Sequence, residues 1–145
     1  MNWVGNGAVT FNNATINNDG LIDLQIASLI QQTGASGVIN NTGTFRKSAD
    51  ANQSSITLPF NNQNGTLDIQ VGTLLFNIDL TLDRGSYLIA ESANLRSTAI
   101  SRLVGTIQSE PEGNLELSGT IQIPSGSSPT INFAGAGLNI SAGNL

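Results

Sequence analysis

Cysteine and histidine are both absent from this 145-residue chain. Without them the chain has no disulfides, no thiolate nucleophile, no zinc site built from cysteine or histidine, and no catalytic triad of the Ser-His-Asp type. A domain of this size must therefore be stabilised by the burial of apolar side chains and by hydrogen bonds. The sequence also offers no cofactor-binding motif, so we expect no cofactor.

Charged side chains are scarce as well, at 10% of the residues against roughly a quarter in ordinary soluble domains. The net charge is −5, with only five lysines and arginines to neutralise phosphates. Nucleic-acid binding is therefore not expected. No apolar run is long enough to insert in a membrane, and no signal peptide is visible at the N-terminus. An export signal, if the parent protein is secreted, would lie outside this chain.

In place of charges the chain has uncharged polar residues, including 18 asparagines and 16 glycines, and an internal repeat. Three segments share an apolar residue, two asparagines, one or two further residues, a glycine and an alternating run. They are residues 16–25, 39–48 and 60–70. Their glycines, Gly20, Gly43 and Gly65, are 23 and 22 residues apart. Such a period is typical of one coil of a parallel β-solenoid.

The runs that follow these glycines alternate as β-strands do. Ile22 and Leu24 fall on one face, as do Leu67 and Ile69, while polar residues fall on the other. Period-two alternation with β-branched residues predicts strands whose apolar face is buried. We predict a core containing Ile22, Leu24, Phe45, Leu67 and Ile69, and about six coils of about 22 residues.

The asparagine pairs should form ladders, because stacked coils place equivalent side chains on top of one another and identical amides can hydrogen-bond. We expect these ladders at a turn, where asparagine tolerates left-handed backbone angles and the following Gly20, Gly43 and Gly65 supply positive φ. The predicted ladder residues are Asn17, Asn18, Asn40, Asn41, Asn61 and Asn62.

Two features complicate this regular picture. Lys47 falls where Leu24 and Ile69 point inward, so either a bulge shifts the strand or the coil leaves the pattern there. After Gly72 the repeat spacing becomes irregular, and residues 80–116 contain much of the charge. We expect loops or an elaborated side of the rod in that region.

The phrases at residues 40–45 and 64–70 resemble repeats of bacterial filamentous-haemagglutinin-like and autotransporter-like adhesins. The resemblance covers residues 16–76, concerns the style of the repeat, and transfers no functional residue. It implies a right-handed parallel β-helix at the cell surface or outside the cell, acting as a stalk or passenger. It also implies contact with cell surfaces, glycans or further copies of the protein.

The prediction is thus an all-β, single-stranded parallel β-helix, one domain over residues 1–145, and a segment of a longer surface protein. Its predicted role is structural or adhesive and not enzymatic, with self-association, end to end or as a fibre, as one form of partnership. Two alternatives remain: a carbohydrate-binding or carbohydrate-active β-helix, and a fragment of a trimeric fibre or tail spike.

Candidate sites are few. Asp23 and Asp68 would lie two coils apart, roughly 10 Å, which suits an inverting glycosidase, but Arg46 falls between them and a charge ladder explains the three residues better. Four aspartates offer oxygen ligands for calcium, although turn formation explains them better. They are Asp19, Asp23, Asp79 and Asp83. Among the few aromatic residues, we expect Tyr87 to be the exposed one.

Overall fold

The computed structural model describes residues 1–4, 7–34, 36–111, 113–133 and 137–141, and for residues 3, 109–111 and 133 it describes the backbone. Within these residues the chain forms twenty short strands and no helix. None of the described residues therefore belongs to a helix that could cross a membrane.

The strands form three parallel sheets, A, B and C, and consecutive strands along the chain belong to consecutive sheets. Sheet A contains β1 (Asn2–Trp3), β4 (Leu21–Leu24), β7 (Thr44–Lys47), β10 (Thr66–Ile69), β13 (Ser86–Ile89), β16 (Ile107–Pro111) and β19 (Ile131–Phe133). Sheet B contains β2 (Gly7–Asn12), β5 (Ser28–Thr33), β8 (Gln53–Ile56), β11 (Thr73–Phe76), β14 (Asn94–Ser97), β17 (Asn114–Leu117) and β20 (Gly137–Ile140). Sheet C contains β3 (Thr15–Asn18), β6 (Val38–Asn41), β9 (Phe60–Gln63), β12 (Leu80–Asp83), β15 (Ile100–Leu103) and β18 (Thr120–Gln122).

We number the coils 1 to 7 by their sheet A strands; coils 1 to 6 each contain one strand from each sheet, and coil 7 contains β19 and β20 among the described residues. Neighbouring strands in a sheet are parallel and belong to successive coils. The predicted β-solenoid is confirmed, with about six turns whose equivalent residues are about 21 positions apart. Continuous parallel pairing joins the backbone N–H and C=O groups of each inner strand to the coils above and below.

The strands are short and are separated by corners of the coil. Most strands are four residues long. The backbone turns through left-handed angles at four residues other than glycine. They are Asn13, Asp50, Asn64 and Arg84. Each lies between two strands, so the corners of the coil are made by residues that tolerate, or are held in, this conformation.

The core fills the space between the three sheets. Ile22, Leu24, Phe45, Leu67 and Ile69 are all buried in it, as the alternation of the sequence indicated. One phenylalanine from each sheet meets at its centre. The Phe45 and Phe60 rings are 5.1 Å apart and nearly perpendicular, and the Phe60 and Phe76 rings are 4.9 Å apart. These aromatic contacts, one edge-to-face and one tilted, join the sheets across the interior.

The expectation of loops after residue 80 is wrong for residues 80–103, which form β12 to β15 in the same coil pattern. Leu80 and Leu82 are in register with Phe60 and Asn62 and are buried. The asparagine pair has been replaced, but the alternation of inward and outward side chains persists. The coil pattern therefore continues through this region without the asparagine pair.

Candidate functional site

Two asparagine ladders run along the corner where sheet C leads into sheet A. Asn17, Asn40 and Asn61 are in register on the outer face of sheet C. Asn40 Nδ2 donates to Asn17 Oδ1 at 2.9 Å, and Asn61 Nδ2 donates to Asn40 Oδ1 at 3.0 Å. The structure thus places these three predicted residues in one continuous amide column that is partly open to solvent.

The second ladder is buried, and this is what sequence reasoning missed. Asn18 Nδ2 donates to Asn41 Oδ1 at 2.6 Å, and Asn41 Nδ2 donates to Asn62 Oδ1 at 2.7 Å. All three side chains point inward. The signal was available, because adjacent residues of a strand face opposite ways and one asparagine of each pair had to face the core.

The buried ladder also holds the turn that follows it. Asn18 Nδ2 donates to the Thr44 carbonyl at 2.9 Å, and Asn62 Nδ2 donates to the Gly65 carbonyl at 3.0 Å. Each amide therefore satisfies both its neighbour in the stack and a backbone carbonyl of the next strand or turn. Such a network is stable because its members are satisfied without charge.

Tyr87 ends the buried ladder. Asn62 Nδ2 donates to the Tyr87 hydroxyl at 3.0 Å, and that hydroxyl donates to the Arg84 carbonyl at 3.0 Å. The expectation that Tyr87 is exposed is wrong, because the ring packs in the core column of Phe45 and Leu67. Burial raises the pKa of Tyr87 well above its ordinary value, so the phenol stays protonated and can donate.

The glycines of the turn serve a different purpose from the one predicted. None of Gly20, Gly43 and Gly65 has a positive φ. At the corner between sheets C and A, positive φ occurs at Asn64 and, one coil later, at Arg84 and Gly85. A Cβ on Gly43 would lie 2.2 Å from the Gly20 carbonyl oxygen, and one on Gly65 would lie 2.5 Å from Asn41 Nδ2. Gly43 and Gly65 are therefore required by close stacking of coils, whereas a Cβ on Gly20 would meet nothing within 4 Å.

The position of Lys47 contradicts both predicted alternatives, a bulge in the strand and a departure of the coil from the pattern. Strand β7 pairs in unbroken register with β4 and β10, so Lys47 lies between Leu24 and Ile69 and points inward. Its side chain is fully buried, and Nζ donates to the carbonyls of Ala49, at 2.8 Å, and Asp50. The aliphatic stem occupies the core while the ammonium reaches back to the corner between β7 and β8.

Asp50 shapes the same corner and ties it to the preceding coil. Its Oδ1 accepts from the Asn52 backbone N–H at 2.9 Å, and its Oδ2 accepts from the Ala27 backbone N–H at 2.9 Å. These hydrogen bonds, that from Asn52 first, lower the pKa of the Asp50 carboxyl. The acid therefore stays charged beside the Lys47 ammonium.

We expect Lys47→Met to be at least as stable as the wild type at neutral pH, because an apolar side chain of similar length buries no charge. Burial lowers the pKa of Lys47, and Asp50 only partly offsets this. The Lys47 amine therefore binds its proton more tightly in the unfolded chain than in the folded one. As a result, the free energy of unfolding of the wild type rises with pH between the lowered pKa and the ordinary pKa of 10.5. The advantage of methionine should shrink over that interval. Denaturant unfolding of both proteins from about pH 7 to about pH 11 measures it, and a pH-independent difference would contradict the assignment.

The charged column on sheet A is also in register. Asp23, Arg46 and Asp68 lie in successive coils on its outer face. Arg46 Nε donates to Asp68 Oδ2 at 2.8 Å, whereas Asp23 Oδ2 accepts from Gln25 Nε2 at 3.1 Å. Arg46 thus lies between the two carboxylates, where an inverting glycosidase would hold its attacking water.

Ion pairs between arginines and acidic residues join further coils. Arg102 Nη1 donates to Asp79 Oδ2 at 2.8 Å, and Arg96 Nε lies 3.2 Å from Glu116 Oε2. With the Arg46–Asp68 pair, these ion pairs link coils 3 to 6, whereas the asparagine ladders link coils 1 to 3. Neutralisation between coils explains how a stack accommodates like charges that would otherwise repel one another.

The four aspartates considered for calcium are not brought together. Asp79 is paired with Arg102, and Asp83 Oδ1 lies 3.1 Å from Arg84 Nε. Among the described residues no group of three or more acids, histidines or cysteines could hold a metal ion. A shallow, open depression of about 380 Å³ lies beside Arg84, and it is lined by Asn64, Arg84, Gly85, Ser86, Thr106 and Gln108.

Comparison of the chain with protein-family models, with curated proteins and with solved structures finds no match.

Proposed function

We propose that this chain is a structural segment of an extracellular bacterial surface protein, in which its coils form part of a rigid stalk, passenger or fibre. The observation that carries the proposal is the unbroken register of the coils. Equivalent residues stack from β1 to β19 in sheet A and from β2 to β20 in sheet B. Seven strands at about 4.8 Å spacing give a rod on the order of 30 Å long.

The side chains that hold the coils together also support a structural role. The asparagine ladders, the ion pairs and Lys47 each direct their polar groups to a neighbouring coil or to their own corner. A binding or catalytic site would leave such groups turned toward a ligand. Here the polar groups with the most specific geometry are used for stacking.

The extracellular and adhesive parts of the proposal rest on the resemblance of residues 16–76 to adhesin repeats. The composition is consistent with this resemblance, because a rod with few charges and many amides can be extended coil by coil without accumulating repulsion. The same composition provides long outer rows of hydrogen-bonding groups for contact with a surface.

Antibody labelling of intact cells that make the parent protein tests this proposal. We expect labelling without permeabilisation, both for the parent protein and for a version that lacks residues 44–65. This deletion removes one coil and joins Gly43 to Thr66, the residue that is in register with Thr44. A structural segment should tolerate the loss, since one equivalent junction replaces another.

Two outcomes would contradict the proposal. Labelling that requires permeabilisation would contradict the extracellular location. Loss of a folded product after the in-phase deletion would contradict the structural role, provided that the undeleted protein is folded and displayed. A deletion of residues 44–54, which removes about half a coil, is the matched control and is expected to prevent folding.

A further inference from the structure

The corner between sheets C and A lengthens by one residue in the middle of the rod, and this opens the depression beside Arg84. Leu82 and Leu103 are in register in sheet C, as Ser86 and Gln108 are in sheet A. Three residues connect Leu82 to Ser86, whereas four connect Leu103 to Gln108. The two corners therefore cannot stack residue on residue, and a depression of about 380 Å³ lies there.

The polar side chains that line the depression do not hold the coils together. Within the part of the chain that the structure describes, four of them have no hydrogen-bond partner in the protein. They are the amides of Asn64 and Gln108 and the hydroxyls of Ser86 and Thr106. In the buried asparagine ladder, by contrast, each amide is bonded to a neighbouring coil. Unpartnered polar groups that converge on one concave surface are typical of a ligand site.

Arg84 is the charged residue of this lining, and part of its guanidinium is free. The side chain is 66% exposed, and its Nε and Nη2 donate to the Asp83 carboxylate at 3.1 and 3.3 Å. A guanidinium carries its N–H groups in a planar fork, so the edge formed by Nη1 and Nη2 still has N–H groups to donate. Such an edge binds a planar carboxylate through two parallel hydrogen bonds.

The backbone of Arg84 is held in a conformation that arginine rarely adopts. Its φ is 55°, in the left-handed region that is unfavourable for a large side chain. The equivalent residue of the preceding coil is Asn64, with a φ of 59°. Asparagine tolerates this angle, so an arginine at the same place lowers the stability of the corner. Residues strained in this way are concentrated at binding sites, which indicates a role for Arg84 beyond the corner itself.

We propose that these residues form a binding site, the Arg84 site, for a carboxylate that carries neighbouring hydroxyl groups, as a uronic acid does. The carboxylate accepts from the free edge of the Arg84 guanidinium. The hydroxyl groups of the ligand bond to the amide and hydroxyl side chains of the lining, which belong to Asn64, Ser86, Thr106 and Gln108. The ligand is either a free sugar acid or one unit of an acidic polysaccharide.

The charge and the size of the site select this class of ligand. One arginine that is already paired with Asp83 can offset a single negative charge, but not the two charges of a phosphate dianion. The lining residues include no aromatic ring on which an uncharged sugar could stack. A volume of about 380 Å³ is near the lower end of the range for ligand sites and suits a group the size of one sugar ring. The site does not depend on the proposed structural function and adds a binding role to it.

An NMR titration of the isotope-labelled chain with sodium galacturonate, at constant ionic strength, tests the proposal. We expect saturable shifts of the backbone amide signals of Gly85, Ser86 and Thr106. Galactose has the same ring without the carboxylate, and it should bind at least about tenfold more weakly, because the hydrogen bonds to Arg84 are charge-assisted. A galacturonate oligomer distinguishes the two sources of the ligand. It should bind more tightly than the number of its units explains if the ligand is a polysaccharide, and no more tightly if it is the free acid.

Arg84→Asn should abolish the saturable shifts, while its free energy of unfolding equals or exceeds that of the wild type, since Asn64 adopts the same angle. Asp83→Asn should tighten galacturonate binding several-fold, because it removes the negative charge that competes for the guanidinium. Arg96→Gln is the matched control. It removes the same charge from sheet B, at a side chain that is 42% exposed, and should leave the affinity within about twofold of the wild type.

The proposal is overturned if the shifts do not saturate, if galactose binds as tightly as galacturonate, or if Arg84→Asn binds as Arg96→Gln does. An unchanged or weaker affinity of Asp83→Asn overturns it independently of the Arg84 variant. Sodium sulfate that displaces galacturonate at equal concentration would show no more than ion pairing with an exposed arginine and would overturn it as well. Urea unfolding verifies that each variant is folded. None of these results bears on the surface labelling of the parent protein, so the two proposals can fail separately.

Discussion

Asn41→Asp is expected to lower the free energy of unfolding by about 3–5 kcal/mol, the usual range for an uncompensated buried charge. Asn41 is fully buried, and its Nδ2 faces three acceptors, Asn62 Oδ1 at 2.7 Å and the carbonyls of Gly43 and Thr66 at 3.2 and 3.3 Å. A carboxylate oxygen in that place turns three hydrogen bonds into repulsions. The opposite oxygen would still accept from Asn18, which is too little to compensate.

Asn40→Asp is the matched control for this prediction. Asn40 precedes Asn41 in the same strand and belongs to a ladder of the same type, but its side chain is partly open to solvent. Water can solvate the new carboxylate, so the loss should stay below about 1 kcal/mol. Urea unfolding of both variants compares them, and equal losses would show that burial of the inner ladder is not what stabilises the coils.

Gly43→Ala is expected to destabilise the chain by about 3 kcal/mol or more, because the new Cβ would overlap a backbone carbonyl that cannot move without breaking the stack. The nearest atom, the Gly20 carbonyl oxygen, would be 2.2 Å away. That same oxygen accepts the Thr44 N–H at 2.7 Å, so displacing it costs a hydrogen bond between coils.

Gly20→Ala gives the corresponding control at the equivalent position one coil earlier. A Cβ there would meet nothing within 4 Å, and Gly20 has no positive φ. We expect its stability to stay within about 1 kcal/mol of the wild type, with a small gain from the less flexible unfolded chain. If thermal or urea unfolding shows equal losses for both alanine variants, the glycines are required by backbone angle and not by stacking distance.

The architecture could be predicted from the sequence, because stacked coils repeat similar residues at a regular spacing. The three asparagine pairs and their glycines fixed the length of a coil, and the alternation in residues 22–24 and 67–69 fixed which face is buried. In coils 4 and 5 the asparagine pair is replaced by Thr81 and Leu82 and then by Arg102 and Leu103. The repeat is not recognisable in the sequence there, because hydrophobicity is preserved and residue identity is not.

The details of the corner could not be predicted, because they depend on contacts between coils. A lysine at a core position conflicts with periodicity, and only the nearby carbonyls of Ala49 and Asp50 explain how its ammonium is satisfied. Likewise, a glycine that follows an asparagine pair suggests a special backbone angle, whereas Gly43 is constrained by an atom of the preceding coil, Gly20 O, that is 23 positions away in sequence.

The end of the buried ladder at Tyr87 gives the rod two chemically different parts. Buried amides join coils 1 to 3, whereas coils 3 to 6 are joined by ion pairs and by the exposed amide pair of Asn94 and Asn114. Ionic strength weakens attraction between exposed or half-exposed charges and leaves buried amides almost unaffected. Concentrated salt should therefore lower the stability of coils 3 to 6 more than that of coils 1 to 3, so that unfolding begins in the C-terminal part of the rod.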